Sequence, residues 1–166
     1  MRYFVVALLL LFSGSVRAAN NDSFKTQARV LKILDGDTLK VESLKDGIPM
    51  KIRLVGIDCP EKEQPFGEEA SANLEKLVGT EVLVSVRHLD LFGRYLGEVY
   101  MDKKEADSTN VSHLQLRAGL CWWYRDYAPN DAVLQGIEEK AQEKKLGIWG
   151  TKDPKAPWIF REEKRR

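Results

Sequence analysis

The sequence predicts a five-stranded Greek-key β-barrel of the OB type, an α+β fold that is mainly β, carrying three α-helices. Three observations predict it. Stretches of alternating apolar and polar residues mark short strands, a helix-period stretch follows the third of them, and two more strand-like stretches come next. Barrels of this kind often bind oligonucleotides, but fold alone does not give activity.

The elements follow in order. "TQARVLKIL", "DTLKVESL" and "PMKIRLVGI" alternate with a period of two and are separated by "DG" and "KDG" turns, which predicts an antiparallel meander of three strands. "PFGEEASANLEKLVG" then places Ala70, Leu74, Leu77 and Val78 on one helical face and ends at Gly79, a C-cap residue. "EVLVSVRHL" and "RYLGEVYM" flank a turn at "DLFG". "NVSHLQLRAG" reads as a short helix with Val111, Leu114 and Ala118 inward and His113 on its surface. The last helix has Asn130 or Asp131 as N-cap, Leu134, Ile137 and Ala141 at spacings of three and four, and Gly147 beyond Lys144 and Lys145.

The two ends of the chain read differently. "MRYFVVALLLLFSGSVRAAN" has an early arginine, an apolar run from Tyr3 to Phe12 and small residues before Ala18, the pattern of a signal peptide spanning residues 1–18. That run is shorter than the roughly 20 residues that span a bilayer, so export, to the periplasm or beyond the cell, is expected rather than anchoring. Residues 19–25 form a polar leader, 26–150 the barrel domain, and 151–166 a basic tail laid on the surface. Lys155, Arg161, Lys164, Arg165 and Arg166 of that tail are either merely solvated or extend a polyanion-binding footprint.

Composition limits the function classes. The 166 residues are 43% hydrophobic and 31% charged, as for one folded domain. Removing residues 1–18 takes away Arg2 and Arg17 and no acid, moving the formal charge from +1 to −1. A polyanion must then be held by a local cationic cluster or by a metal ion, because the global field does not attract it. His88 and His113 lie far apart and lack a cysteine pair, which argues against a zinc site. In "CWWYRDY" the aromatic faces invite base stacking, yet Trp122 and Trp123 point to opposite sides of an extended chain, so at least one belongs to the core.

The chemistry concentrates in "RLVGIDCPE", residues 53–61. If the second and third strands are neighbours, Asp37 and Asp58 share a rim, and two carboxylates without histidine suit a hard divalent cation such as Ca²⁺. The alternative is that Asp35 and Asp37 are ordinary turn residues. Arg53 and Asp58 fall on opposite faces of a regular strand, and Gly56 is where a bend can bring them together. A guanidinium, a metal-binding carboxylate and the spare carboxylate of Glu61 suit phosphodiester hydrolysis. A surface ion-pair cluster accounts for the spacing equally well.

"LDGDTLKV", "IRLVGIDCPE", "FGEEAS", "FGRYLGEVY" and "KKLGIW" together resemble, in order, the staphylococcal nuclease (thermonuclease) family, and the resemblance runs from about Thr26 to Trp149. It implies an OB-fold barrel that binds one Ca²⁺ and cleaves DNA and RNA to leave 3′-phosphate ends. It further implies that Asp37, Asp58 and the backbone carbonyl of Cys59 hold the metal, that Glu61 activates or orders the water, and that Arg53 and Arg94 grip the phosphate. Phe92 and Arg125 stand where the best-known member has tyrosines, while Tyr127 matches; Tyr127 and Arg125 are therefore the substrate-binding candidates, for DNA or RNA that is preferably single-stranded. The Glu61–Gly67 loop is also shorter than in that member. In the family fold the segment after the third strand runs beside the one after the second helix, placing Cys59 and Cys121 within reach. A disulfide and two buried thiols are the alternatives, and export favours the bridge. A non-catalytic OB-fold nucleic-acid-binding module is the competing function, disfavoured because every catalytic side chain of the pattern is present. Nothing in the sequence requires more than a monomer.

Overall fold

The computed structural model describes residues 23–166; the stretch 1–18 expected to be a signal peptide lies outside the described residues. Five strands close into a barrel in the order β1-β2-β3-β6-β5. β1 (Phe24–Ile33), β2 (Thr38–Ser43) and β3 (Pro49–Leu54) form the antiparallel meander. β5 (Glu81–Leu89) pairs antiparallel with β1 and with β6 (Tyr95–Tyr100), whose other edge runs parallel to β3. That one parallel pair needs a long crossover, supplied by the chain between Leu54 and Tyr95. Register shifts between Val30 and Lys32, and between Val86 and His88, interrupt two antiparallel ladders, as bulges that help a small sheet curl do. Ala28, Val30, Leu39, Val41, Ile52, Leu54, Val82, Val84 and Val99 fill the interior, the alternation expected of strands with one face inward.

α1 (Gly67–Glu75), α2 (Val111–Arg117) and α3 (Ala132–Glu143) occupy the three predicted helical stretches. α1 stops earlier than its pattern suggests: Leu77 is buried, but Val78 is exposed and Gly79 lies at φ +82° in the turn that follows. Asp131, not Asn130, caps α3, its carboxylate accepting from the Val133 and Leu134 amides. In α2 the fully buried positions are Val111, Gln115 and Leu116, with Leu114 only partly covered. His113 is not a surface residue but is buried, its Nδ1 3.3 Å from the Asp107 carbonyl oxygen.

Two elements depart from the sequence reading. The third predicted strand is broken: after Leu54 the chain turns through Val55 and Gly56, and β4 (Ile57–Asp58) leaves the barrel to pair with β7 (Trp122–Trp123). Gly56 sits at φ +77°, a conformation that side chains resist, so the bend depends on a glycine. The residues after Lys155 are also not a surface strap. They fold as a fourth helix, α4 (Pro157–Lys164), with proline in its first turn, after a short 3-10 helix at Gly147–Gly150. Trp122 and Trp123 are both buried, and Trp122 packs edge-on beneath Trp149 and Trp158. Beside the β4–β7 pair a Cys59–Cys121 disulfide ties the two segments.

Candidate active site

Asp37 opens β2 at the end of a tight turn in which Asp35 Oδ1 accepts from the Asp37 amide at 3.0 Å. Gly36 has to be glycine for room, because an added Cβ would lie 2.7 Å from Ala70 Cβ and 2.8 Å from Cys59 Cβ. Buried Gln115 reinforces the same turn, its Nε2 donating to the Gly36 and Ala70 carbonyls at 2.7 and 2.8 Å. The Asp37 carboxylate is thereby fixed: Oδ1 accepts from Thr38 Oγ1 at 3.0 Å and Oδ2 from the Cys59 amide at 2.9 Å. Burial pushes its carboxyl up to about 7, against the lowering pull of Arg53 and the Cys59 amide.

Arg53 comes from the end of β3 and grips the bend that follows it. Its Nη1 donates to the Leu54 and Ile57 carbonyls at 2.8 and 2.9 Å, and its Nη2 to Asp58 Oδ1 at 3.0 Å. Its Nε stands 3.1 Å from Asp37 Oδ1, so one guanidinium ties both aspartates together. Gly56 makes this possible by turning Asp58 back toward the arginine five residues earlier. Three of the five guanidinium N–H groups are engaged in these hydrogen bonds and the Nε N–H faces Asp37, which leaves one Nη2 N–H without a partner.

Glu61 stands at the exit, its amide donating to Gln64 Oε1 at 2.9 Å. Its carboxylate is less covered than those of the two aspartates and meets Arg161 Nη1 at 2.7 Å. Arg94 reaches the same cleft from the start of the β6 side, but its Nε is held by Asp90 Oδ2 at 2.8 Å and its guanidinium lies 5.5 Å from the Phe92 ring centre. The cleft measures about 660 Å³, and Asp37, Arg53, Asp58, Cys59, Glu61 and Arg94 all line it. Tyr127 lines it too, largely exposed, with Tyr124 tilted against it at 4.9 Å. Arg125 is not among the lining residues; it is spent on Glu138 Oε2 at 2.8 Å and lies over the Trp123 ring at 4.4 Å.

The donor set fits a hard cation. It consists of oxygens alone, the two aspartates are held together in a cleft wall, and a buried acid such as Asp37 is one whose charge a divalent ion would stabilise. Among the described residues no group of three or more His, Cys, Asp or Glu side chains stands ready around one point. A cation here therefore needs the backbone carbonyl, water or rearrangement to complete its shell.

The sequence offered Arg161 only as one of five tail cations, solvated or extending a polyanion footprint, and gave no sign of Tyr124 or Glu138 at the site. Tyr124 sits inside the quoted aromatic stretch, where exposure cannot be read from letters. Glu138 is fully buried in α3 and accepts from the Trp123 amide at 2.8 Å; its acidic neighbour Glu139 disguises it as solvated surface. The pairing of Arg161 with Asp58 and Glu61 carries no local signal, since those partners lie about a hundred residues earlier.

Carboxylates paired through a guanidinium, with further guanidinium groups and an open carboxylate in one cleft on an OB-type barrel, define a phosphodiesterase of nucleic acids. Residues 51–151 match the family model described as staphylococcal nuclease homologue, and the chain belongs to that family. It is 37% identical over 165 residues to a protein named "Uncharacterized endonuclease" of Escherichia coli O157:H7, covering 99% of this chain and 100% of the relative. It is 35% identical over 141 residues to a "Micrococcal nuclease" of Shigella flexneri, covering 81% of this chain and 80% of that one. A "Staphylococcal-like nuclease CAN1" of Arabidopsis thaliana is 38% identical over 116 residues, 69% of this chain and 34% of its own length. The protein is a hydrolytic nuclease of a metal-dependent family, acting on nucleic acid.

Proposed function

We propose that the protein is an exported, Ca²⁺-dependent nuclease that hydrolyses DNA and RNA, preferably single-stranded, with little sequence specificity, as a monomer, and leaves 3′-phosphate ends. The observation that carries this reading is the Asp37–Arg53–Asp58 cluster opening into a cleft that also holds Glu61 and Arg94. Asp37, Asp58 and the Cys59 carbonyl would hold the cation, which when bound polarises the phosphate and lowers the pKa of water. Arg53 offers its remaining Nη2 N–H to a phosphate oxygen while its other contacts keep the fork from swinging. Arg94 meets the developing negative charge from the facing wall. Glu61 accepts a hydrogen bond from the attacking water and receives its proton. The new bond is water oxygen to phosphorus and the broken one is phosphorus to O5′, so the phosphate stays on the 3′ side and the departing 5′ oxygen takes up a proton from solvent.

The exposed face of Tyr127 supports a preference for unpaired bases, which offer a ring to stack on. The disulfide supports export, since such bridges persist in oxidising compartments. End-group analysis tests the product: fragments should become extendable by a polymerase only after phosphatase treatment. Fragments extendable without it would place the cut on the other side of phosphorus.

A further inference from the structure

The C-terminal helix inserts a cation into the candidate active site. Arg161 Nη2 donates to Asp58 Oδ2 at 2.6 Å, and Nη1 donates to Glu61 Oε1 at 2.7 Å and to Asp58 Oδ1 at 3.3 Å. One guanidinium thus spans the acid assigned to the cation and the acid assigned to the water. The helix that carries it is firmly seated. Pro157 is buried, Trp158 stacks on Tyr124 at 5.4 Å and 14°, and it meets Trp122 edge-on at 6.5 Å. The preceding Lys155 carbonyl accepts from buried Gln64 at 3.2 Å. The side chain itself is less constrained: Arg161 is 34% exposed while the Asp58 it covers is 3% exposed, and Arg165, one turn on, lines the same cleft.

A guanidinium and a divalent cation compete for the same carboxylate oxygens, and each repels the other. Once released, the guanidinium stays at the cleft mouth on a fixed helix, where a nucleic-acid phosphate is the anion that suits its fork. We propose that Arg161 is a third phosphate-binding guanidinium of the substrate groove, parked on Asp58 and Glu61 in the free protein and exchanged for the divalent cation as nucleic acid enters. This rests on the nuclease reading above. It makes cation and nucleic-acid binding mutually favourable, because each removes Arg161 from the other's way or supplies it with a partner.

Calorimetric titration of the whole chain tests it, with calcium chloride alone and with a short cleavage-resistant phosphorothioate single strand. In the wild type, the oligonucleotide should tighten Ca²⁺ binding. Arg161→Gln should bind Ca²⁺ alone about fivefold tighter or more. In saturating Ca²⁺ it should bind the oligonucleotide more weakly, with a salt slope shallower by about 0.7. Arg161→Lys keeps the charge over Asp58 but loses the fork, so it should keep near-wild-type Ca²⁺ affinity and still lose oligonucleotide affinity; it also serves if the glutamine variant does not fold. A glutamine variant with unchanged Ca²⁺ affinity, or either variant with unchanged oligonucleotide affinity, would overturn the proposal while wild-type cleavage left the nuclease reading standing. A wild type that neither binds nor cuts single strands would remove both.

Discussion

At the residue scale, the site is built from charges that hold one another in place, so single substitutions should separate chemistry from stability. Glu61→Gln removes the acceptor for a proton but keeps a similar shape at a half-exposed position. Turnover should fall by about 10²- to 10⁴-fold with the melting temperature nearly unchanged, and a variant with near-normal turnover would end the role given to Glu61. His113 provides a pH test away from the catalytic cleft. Burial lowers its pKa below the ordinary 6.5, opposed by the Asp107 carbonyl and carboxylate and by Asp131, and helped by Arg117. The unfolded chain therefore takes up the proton more readily, so this contribution to stability is intact above about pH 6.5 and declines below it. Urea midpoints measured from pH 7.5 to 5 should fall less steeply in His113→Gln than in the wild type; parallel curves would contradict this. Arg53, Asp58 and Glu61 were legible because nine consecutive residues carry them, and Asp37 because it immediately precedes the neighbouring strand. Burial of His113 was not, since a seven-residue helix shows too few turns to fix its inward face.

At the element scale, the decisive feature is the break between β3 and β4. A regular strand would send Arg53 and Asp58 to opposite faces, whereas the turn at Gly56 joins them at 3.0 Å. Gly56→Ala meets two costs: a strained positive φ, and a Cβ placed 2.5 Å from Leu134 Cδ1. It should destabilise the fold by about 1–3 kcal/mol in denaturant unfolding and reduce cleavage beyond what the lost stability explains. A variant as stable and as active as the wild type would show that the bend does not organise the site. The meander and the first three helices were readable because period-two and helical patterns last long enough to be distinguished. The β4–β7 ribbon was not, because two-residue strands have no period. α4 hid behind Pro154 and Pro157, and its place against Tyr124 is a tertiary fact carried by Trp158.

At the scale of the whole molecule, a chain of near-zero net charge brings arginines and acidic side chains together along one cleft, and a single disulfide ties the cleft-lining Cys59 to Cys121. Cys59 and Cys121 are 62 residues apart in sequence, for which loop-closure entropy gives about 4 kcal/mol. Denatured, unreduced protein should show no free thiol, and reduction should lower the melting temperature markedly; two free thiols would show the bridge absent. The barrel as a whole was legible, since its five strands follow one another along the chain as expected, three as a meander and two after a helix. The closing of the tail over the site was not, because it joins residues about a hundred positions apart in the chain.

The most direct measurement is cleavage of a single-stranded DNA oligonucleotide by the protein lacking residues 1–18, in Ca²⁺, after chelation, and after Ca²⁺ is restored. Cleavage, its loss and its return are expected in that sequence, with Glu61→Gln nearly inactive throughout. Cleavage that persists in excess chelator, or binding without any cleavage in Ca²⁺, would contradict the Ca²⁺-dependent nuclease reading.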